Sequence, residues 1–385
     1  RGLAYHDVDV LFVMPSASGD EDQRYAKIIN ASDVEANDIR LDHQEFLEKV
    51  KFLRIWSNIV PYVDPRDFAT LVEQEKMSQA ESFKINFKQK YKFSGKYGTN
   101  LMEEVVRYAM VGGTIATQHD FDVIHSHDWL TYMAGIAAKR VSGKPLVIHV
   151  HATEYDRSGE NVNPEVFRLE KMGMEAADKV ITVSNLTRNI VINKYGINPD
   201  KVVTVHNAVD FSGRDNLEIH RGVPEKVVTF LGRITFQKGP EYFIEAAYKV
   251  LQKYPNVRFV MAGSGDLLNR SIRRVAKLGI ATKFHFTGFL RGADVHKMFA
   301  FSDVYVMPSV SEPFGISPLE AMRTGVPSII SKQSGVAEVL KHSIKVDFWD
   351  IDAMADAIYG LLKYPALSSM CSKKGLEEVD ALKWN

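Results

Sequence analysis

The sequence of 385 residues contains a single cysteine, Cys371, so no disulfide can form within the chain. A thiolate cluster for zinc is excluded for the same reason, and so few thiols are typical of proteins from a reducing compartment. No apolar run reaches the roughly 20 residues that a transmembrane helix requires. The first residues also lack the apolar segment of a signal peptide. These absences predict a cytoplasmic protein without a transmembrane segment.

The sequence also lacks a surplus of charge, because its 48 lysine and arginine residues balance 48 aspartate and glutamate residues. Proteins that bind a long phosphate backbone usually carry a basic excess, so dedicated nucleic-acid binding is disfavoured. A local cationic site is still compatible with this balance. No low-complexity tract or short repeat is present, and the oligomeric state cannot be inferred from the sequence.

Short β-branched and apolar runs recur along the chain, and each precedes a segment with helical spacing. Near-continuous apolar strands separated by helices indicate parallel sheets that are covered on both faces. The predicted strands are Val8–Met14, Val123–His127, Leu146–His151, Val180–Ser184, Val202–Asn207, Val227–Gly232, Val257–Ala262, Phe284–Gly288, Val304–Pro308, Val326–Ser331 and Ile344–Val346. Eleven strands are too many for one small sheet, so the fold class is α/β with two doubly wound domains.

The polar stretch near residues 209–225 is the predicted domain boundary. We expect a first domain at residues 1–210, a second domain at 211–365 and a C-terminal helical segment at 366–385. Residues 16–40 are polar and predict a loop, whereas residues 41–117 have mainly helical character. The first domain is therefore predicted to carry a helical insertion at about 41–117.

A candidate anion site follows the strand that ends at Gly232. Arg233 and Lys238 lie in the next loop, and Pro240 suits the first position of a helix. Two cations next to the exposed N–H groups of a helix can bind an anion, here most plausibly a diphosphate. The alternative interpretation is two surface cations on an exposed loop.

A second candidate site follows the strand that ends at Pro308, at the sheet edge where open α/β folds bind ligands. Gly315 allows the backbone to approach a ligand closely, and Glu312 lies in a loop without a capping role. Ser317 and Glu320 have the spacing of a capping box, which would account for Glu320 structurally. Capping and ligand binding by Glu320 are compatible, because one carboxylate carries two oxygens.

A third loop, with Gly263 and Gly265, also follows a strand. A dinucleotide fingerprint needs another glycine where this sequence has Leu268, so the pattern favours a tight turn near a nucleotide over NAD binding.

Two His-x-His pairs, His125 with His127 and His149 with His151, stand at strand ends. Alternate residues of a strand share a face, so each pair can present two imidazoles together, which is compatible with a metal site. Core histidines bonded to backbone are the alternative for His125 and His149, whereas His127 is favoured for sugar binding or acid–base chemistry. Two Asp-x-Asp patterns, Asp7 with Asp9 and Asp350 with Asp352, are too short to indicate a metal site.

Together these residues resemble glycosyltransferase family 4, retaining enzymes of the GT-B fold that use nucleotide-sugars. The run from Gly232 to Gly239 is similar to the family's diphosphate-binding loop, and Glu312 and Glu320 match its paired glutamates. The likeness extends from about residue 120 to the end. The stretches His127–Trp129 and His151–Arg157 are most similar to bacterial and archaeal glycogen-synthase-like members.

The resemblance implies two Rossmann-like domains that face each other across a cleft. It implies that Arg233 and Lys238 neutralise the leaving diphosphate and that Glu320 binds the ribose hydroxyls. The loop containing Gly288 and Leu290 would lie near the base.

The same resemblance assigns contacts with the donor sugar to Glu312, His127, Asn207 and the backbone of Gly315 and Ile316. Among these, Glu312 and His127 join Arg233 and Lys238 as the expected catalytic residues. The implied reaction moves glucose from UDP- or ADP-glucose to an α-glucan-like acceptor by front-face attack, without a metal or another cofactor.

Three alternatives remain open. The first is a family 4 transferase for another sugar or acceptor, of the mannosyl, sucrose or glycolipid type. The second is a metal-dependent hydrolase at the histidine pairs, and the third is a carbohydrate-binding protein without turnover.

Members of the family also open with a strand and a glycine-rich loop that this sequence lacks. The residues Arg1–Ala4 are similar to the end of the first helix, and Ala381–Asn385 to the start of a last helix that returns to the first domain.

Overall fold

The computed structural model describes residues 3–17, 19–36, 89–93, 101–209, 222 and 224–382. The chain divides into two compact units, one formed by residues 1–149 and 168–180 and the other by residues 150–167 and 181–385. Most of the predicted insertion and most of the predicted linker lie outside the described residues, so the domain boundary near residue 210 stays a prediction.

The strands are β1 Leu11–Met14, β2 Lys27–Asn30, β3 Glu35–Ala36, β4 Gln89–Lys90, β5 Ile124–His127, β6 Leu146–Val150, β7 Lys179–Thr182, β8 Val202–Thr204, β9 Lys226–Leu231, β10 Val257–Ala262, β11 Phe284–Gly288, β12 Val304–Met307, β13 Ser328–Ser331 and β14 Ile344–Val346. The α-helices are α1 Leu101–Gln118, α2 Trp129–Ser142, α3 Glu154–Ser158, α4 Pro164–Ala176, α5 Asn185–Asn193, α6 Pro240–Lys253, α7 Leu268–Lys277, α8 Ala293–Phe301, α9 Ser317–Arg323, α10 Ile351–Lys363 and α11 Pro365–Asp380.

The second unit contains a six-stranded sheet in the order β11-β10-β9-β12-β13-β14. Its strand pairs are parallel. The chain starts at β9 in the centre, proceeds outward to β11, returns to β12 and proceeds outward again to β14. This is the doubly wound order in which ligands bind where the direction reverses, beyond the carboxyl ends of the central strands. The reversal lies between β9 and β12.

Alternation along β12 explains why helices cover both faces of this sheet. Val304 and Val306 belong to one buried cluster, whereas Tyr305 and Met307 belong to another. Successive side chains of a strand point to opposite faces, so a strand without polar positions requires an apolar layer on each side. Helices α6 and α10 contribute to the first cluster, and α8, α9 and α11 to the second.

In the first unit, α1 packs against the parallel pair β1–β2, and the Tyr108 hydroxyl donates to the Val13 carbonyl at 2.9 Å. Strand β5 of this unit is the first strand of a separate four-stranded sheet with the order β5-β6-β7-β8. Helix α2 lies close to this sheet, because a Cβ added to Gly135 would come within 2.2 Å of Ser126 Oγ.

All eleven predicted strands are present, several of them shortened at their ends. The predicted loop at 16–40 is wrong in part, because Lys27–Asn30 forms strand β2. Strand β2 contains only two apolar residues, Ile28 and Ile29, and it is stabilised by pairing with β1. Within the predicted insertion, residues 101–117 belong to helix α1, and most of residues 41–100 lie outside the described residues. Gln89–Lys90 instead pairs antiparallel with β3, where Lys90 lies opposite Glu35.

The predicted C-terminal helical segment is helix α11, which packs inside the second unit. Ser372 Oγ donates to the Gly325 carbonyl at 2.6 Å, and Arg323 pairs with Asp380. Its predicted return to the first domain stays a prediction. None of the helices in the described ranges is long and apolar enough to cross a bilayer.

The close approach of α2 to its sheet predicts that Gly135→Ala destabilises the protein by about 1–3 kcal/mol, the usual cost of overpacking. Gly360, a helix-interior glycine with no atom nearer than 3.7 Å to an added Cβ, is the matched control. Its replacement by alanine should be neutral or stabilising, because alanine is the better helix former. Thermal unfolding measures both. Equal or greater stability of Gly135→Ala would contradict the close packing of α2.

Candidate functional site

The loops that follow β9 and β12 lie side by side. The Val310 N–H donates to the Gln237 carbonyl at 2.9 Å. Gly239 has a φ of +65°, and a Cβ there would come within 2.1 Å of the Pro308 carbonyl oxygen. The left-handed backbone and the close approach both require glycine at this position. The two predicted sites are therefore one site, at the point where the strand order reverses.

Lys238 and Glu312 form an ion pair in this site. The family resemblance assigned Lys238 to the diphosphate and Glu312 to the donor sugar. Their side chains are 20% and 10% exposed. The Ser309 hydroxyl donates to the same Glu312 oxygen, Oε2, at 3.2 Å. The carboxylate is thus held in one orientation, and the ammonium lies partly open to a ligand.

Arg233 contributes a second cation to the same loop. Its side chain is exposed, and no residue of the described ranges forms a hydrogen bond or ion pair with it. With Lys238 and Glu312 it gives the loop pair a net charge of +1. An anionic group can therefore be bound without the burial of a large positive charge.

The Gly263–Gly265 loop supports the Arg233 loop. A Cβ on Gly263 would come within 1.8 Å of the Gly232 carbonyl oxygen, and one on Gly265 within 2.3 Å of the Ile234 carbonyl oxygen. The Ile234 N–H also donates to the Ser264 carbonyl at 2.9 Å. These glycines allow two loops to pack backbone against backbone. This is a different role from that of a dinucleotide fingerprint.

The predicted capping box at Ser317 and Glu320 is wrong. Helix α9 begins at Ser317 itself, with Ile316 as the residue before it and no side-chain cap. The Ser317 hydroxyl instead lies 2.8 Å from the hydroxyl of buried Tyr305. The difference arises because Tyr305 reaches the helix start from the sheet, a contact that local spacing cannot show.

Glu320 therefore does not cap helix α9. It is half-buried, and its carboxylate forms no hydrogen bond or ion pair within the described part of the chain. Burial raises its pKa, and the opposing effect of His296 is smaller. Burial of a carboxylate without a hydrogen-bond or ion-pair partner costs free energy. Residues with pKa values shifted in this way are common at functional sites.

The loop between Glu312 and Glu320 presents backbone to the site. Gly315 has a φ of +99° and Ile316 is exposed. The loop is anchored by buried Phe314, whose carbonyl accepts from the Val336 N–H at 2.7 Å. Among the described residues, the N–H groups of Gly315 and Ile316 have no acceptor. They are available to a ligand.

Gly288 and Leu290 lie at the end of β11, one strand beyond the Gly263 loop. The Gly288 carbonyl accepts from the Gly263 N–H at 2.8 Å, whereas Leu290 packs on a buried cluster. Between them Phe289 is 63% exposed, and the guanidinium of Arg291 lies 5.1 Å from its ring centroid. The exposed ring is the more suitable surface for a planar base.

Asn207 is half-buried and follows His206, whose Nε2 lies 2.8 Å from Glu338 Oε2. Glu338 also accepts from the backbone N–H groups of Asn185 and Leu186 at 2.9 and 2.8 Å. This carboxylate ties the segment before Asn207 to the start of α5.

Sequence analysis missed a supporting residue, Asp156. It is buried, and its Oδ1 accepts from the Ser311 hydroxyl at 2.6 Å, next to Glu312. Its Oδ2 accepts from the N–H and hydroxyl of Thr153 at 2.7 and 2.8 Å. The Thr-x-x-Asp spacing is a capping-box signal that could have revealed the local part of this network. The contact with Ser311 spans 155 residues of sequence.

In the first unit, the structure places His127 with His125 and His149. One ring nitrogen from each of these three residues lies within 4.8 Å of the corresponding nitrogens of the other two. His127 and His149 are register partners on β5 and β6. The grouping therefore crosses the two sequence pairs, and His151 is not part of it.

The short Asp-x-Asp pattern near the C-terminus has a structural role. Asp350 caps α10 by accepting from the Ala353 N–H at 2.9 Å, and Asp352 pairs with Lys249.

Comparison with known proteins identifies the family of the chain. The family model described as glycosyl transferases group 1 matches residues 217–378, and the one described as glycosyltransferase family 4 matches residues 106–212. The chain is 34% identical to an uncharacterized glycosyltransferase of Methanocaldococcus jannaschii over 238 residues, which are 58% of this chain and 61% of that protein. The chain thus spans about three fifths of that relative.

A second relative is the alpha-maltose-1-phosphate synthase of Mycolicibacterium smegmatis. It is 30% identical over 278 residues, which are 63% of this chain and 70% of that protein. Among solved structures, Anabaena HepE in complex with UDP-glucose matches with a TM-score of 0.64 at 18% identity, covering 97% of this chain and 95% of that one. This likeness shows the GT-B fold. The chain belongs to the family 4 glycosyltransferases.

Proposed function

We propose that this protein transfers glucose from a nucleoside-diphosphate sugar to an α-glucan-like acceptor, with retention of configuration and without a metal cofactor. The observation that carries the proposal is the Lys238–Glu312 ion pair at the reversal of the strand order, with exposed Arg233 in the same loop. Such a site suits a ligand that combines a diphosphate with a polyhydroxy group.

The two cations supply the electrostatic part of the reaction. When the bond between the anomeric carbon and the diphosphate oxygen breaks, negative charge develops on the phosphates. Lys238, which Glu312 holds in place, stabilises that charge from a position fixed before the reaction. Exposed Arg233 supplies a second cation from the same loop. They perform the role that a divalent metal has in other phosphate-transfer sites.

Glu320 supports recognition of the nucleoside. A carboxylate without a protein partner can accept hydrogen bonds from two neighbouring ribose hydroxyls, and the exposed Phe289 ring offers a stacking surface for the base. Binding of the hydroxyls would also offset the cost of a half-buried charge.

The arrangement of Glu312 supports front-face attack. Its Oε2 is occupied by Lys238 and the Ser309 hydroxyl, which favours a positioning role over that of a covalent nucleophile. The acceptor oxygen then forms its bond to the anomeric carbon on the face that the diphosphate leaves. The proton of the acceptor hydroxyl passes to an oxygen of the departing diphosphate.

Two comparisons support glucose as the donor sugar. The M. smegmatis relative is named for a maltose phosphate, whose sugar consists of two glucose units, and the Anabaena structure contains UDP-glucose. His127 and Asn207 are the proposed further contacts with the sugar. The chain has a single cysteine, Cys371, and so no intramolecular disulfide, which is compatible with the proposed cytoplasmic location.

Lys238→Ala should weaken UDP binding by roughly tenfold or more, because one charge-assisted hydrogen bond contributes about 1.5–3 kcal/mol. Turnover should fall by about 100-fold to 1,000-fold, as for the loss of one preorganised charge-stabilising group. Lys249→Ala is the control, because Lys249 pairs with Asp352 on the surface. Calorimetry and initial rates measure the two effects. UDP affinity and turnover equal to those of the unaltered protein would remove Lys238 from the site.

Glu320→Gln should lower nucleotide affinity without loss of stability, because Glu320 caps no helix. Burial raises the pKa of Glu320 in the folded state. Protonation of Glu320 therefore stabilises the folded protein: this stability is fully present below the unfolded-state pKa and is lost as the pH rises through the folded-state pKa. The glutamine variant should therefore unfold at an equal or higher temperature at pH 7, and this difference should vanish in acid. Glu241→Gln is the control, because Glu241 lies in the first turn of α6 and pairs with Arg270 on the surface. An unfolding temperature of Glu320→Gln below that of the unaltered protein at pH 7 would show that Glu320 has a structural role.

A panel of UDP- and ADP-sugars with an oligoglucan acceptor tests the reaction itself. We expect a product with the α-anomeric configuration of the donor, formed at the same rate with and without EDTA, and NMR of the product reports its configuration. A β-linked product would refute retention. Loss of turnover in EDTA would favour the metal-dependent alternative, and hydrolysis without transfer would favour a hydrolase.

A further inference from the structure

The three clustered histidines of the first unit form a group that the proposed reaction does not use in full. Only His127 has a proposed contact with the donor. His125 precedes it by two residues on β5, and His149 lies opposite it on β6. Side chains two residues apart on a strand share a face, and register partners on adjacent parallel strands lie side by side. The fold thus brings all three imidazoles to one edge of the sheet.

The distances suit a shared ligand. One ring nitrogen from each histidine lies within 4.8 Å of the corresponding nitrogens of the other two, and the ring centroids of His125 and His127 are 4.4 Å apart. Zn²⁺ binds imidazole nitrogen at about 2.0–2.1 Å, which places the ligand nitrogens of a tetrahedral site about 3.3 Å apart. The terminal torsion of histidine is broad and roughly two-fold. His125 and His127 are exposed and their rings are stacked at an interplanar angle of 25°, so binding of one ion requires their rings to turn about this torsion.

The ligand type selects the ion. Three imidazoles without a carboxylate in the set suit Zn²⁺, Ni²⁺ and Cu²⁺, whereas Mg²⁺ and Ca²⁺ require oxygen ligands. A site with three histidines leaves the fourth position of a tetrahedral ion open to water or to a ligand.

We propose that His125, His127 and His149 bind one Zn²⁺ or a similar transition-metal ion, and that this ion inhibits the transferase reversibly. Inhibition follows because a ring nitrogen of His127 that ligates the ion cannot contact the donor sugar. Metal binding stands on the cluster alone. Inhibition rests on the proposed function, and the two parts are tested separately.

Equilibrium dialysis of tag-free, EDTA-treated protein against ZnSO₄ tests binding. We expect one bound zinc per chain and none with MgCl₂. His125→Gln and His149→Gln should each weaken zinc binding by roughly tenfold or more, since each removes one of three ligands. The control is His285→Gln, which changes an exposed histidine of β11 outside the cluster. Zinc binding of His125→Gln and His149→Gln equal to that of the unaltered protein would overturn the site, and so would the absence of stoichiometric zinc.

Initial rates with and without ZnSO₄ test inhibition. Zinc should raise the apparent KM for the donor, and EDTA should reverse this effect. In His125→Gln, tenfold more zinc should be needed for the same inhibition. Stoichiometric zinc binding with unchanged rates would overturn the inhibition. Stoichiometric zinc in a protein that transfers no sugar from any donor would overturn the proposed transferase function and leave the metal site supported.

Discussion

The site depends on the reversal of strand order between β9 and β12. Both strands are central and parallel, so their loops leave the sheet at the same edge. The following helices diverge, because α6 contributes Phe243 to one buried cluster and α9 contributes Leu319 to the other. A crevice at such a point is a property of doubly wound sheets in general. What this chain adds is two loops that contact each other closely, through Gly239 and Val310.

The electrostatics of the site are local. The whole chain has no net charge, and the loop pair carries only one positive charge in excess. Lys238 and Glu312 pair with each other in a partly buried position, where either charge alone would be costly. Glu320 lacks such a partner, and its raised pKa shows the cost of burial. Among the described residues, Glu320 is thus a half-buried carboxylate without a hydrogen bond or ion pair, at the same sheet edge as Arg233 and Lys238.

The parts of the fold that the sequence predicts well are those with a strong local signal. Buried strands such as Val257–Ala262 are apolar throughout, and their prediction is confirmed. Strand β2 has two apolar residues only, so its stability comes from pairing with β1, which local pattern cannot show. The same reason explains the wrong capping box. Ser317 has the right neighbours in sequence, but Tyr305 reaches it from another element.

In the candidate site, too, the sequence indicates which residues are functional candidates but not which of them contact each other. The cations and carboxylates were recognisable because their loops follow strands, yet their mutual contacts join distant segments. Asp156 reaches Ser311 across the fold, and Glu312 reaches Lys238 from the neighbouring loop. The histidines give the clearest case. Sequence spacing groups His149 with His151, whereas strand register groups it with His127. Because register also fixes the position of His127 at the sheet edge, any ligand of His127 must share that edge with two further imidazoles.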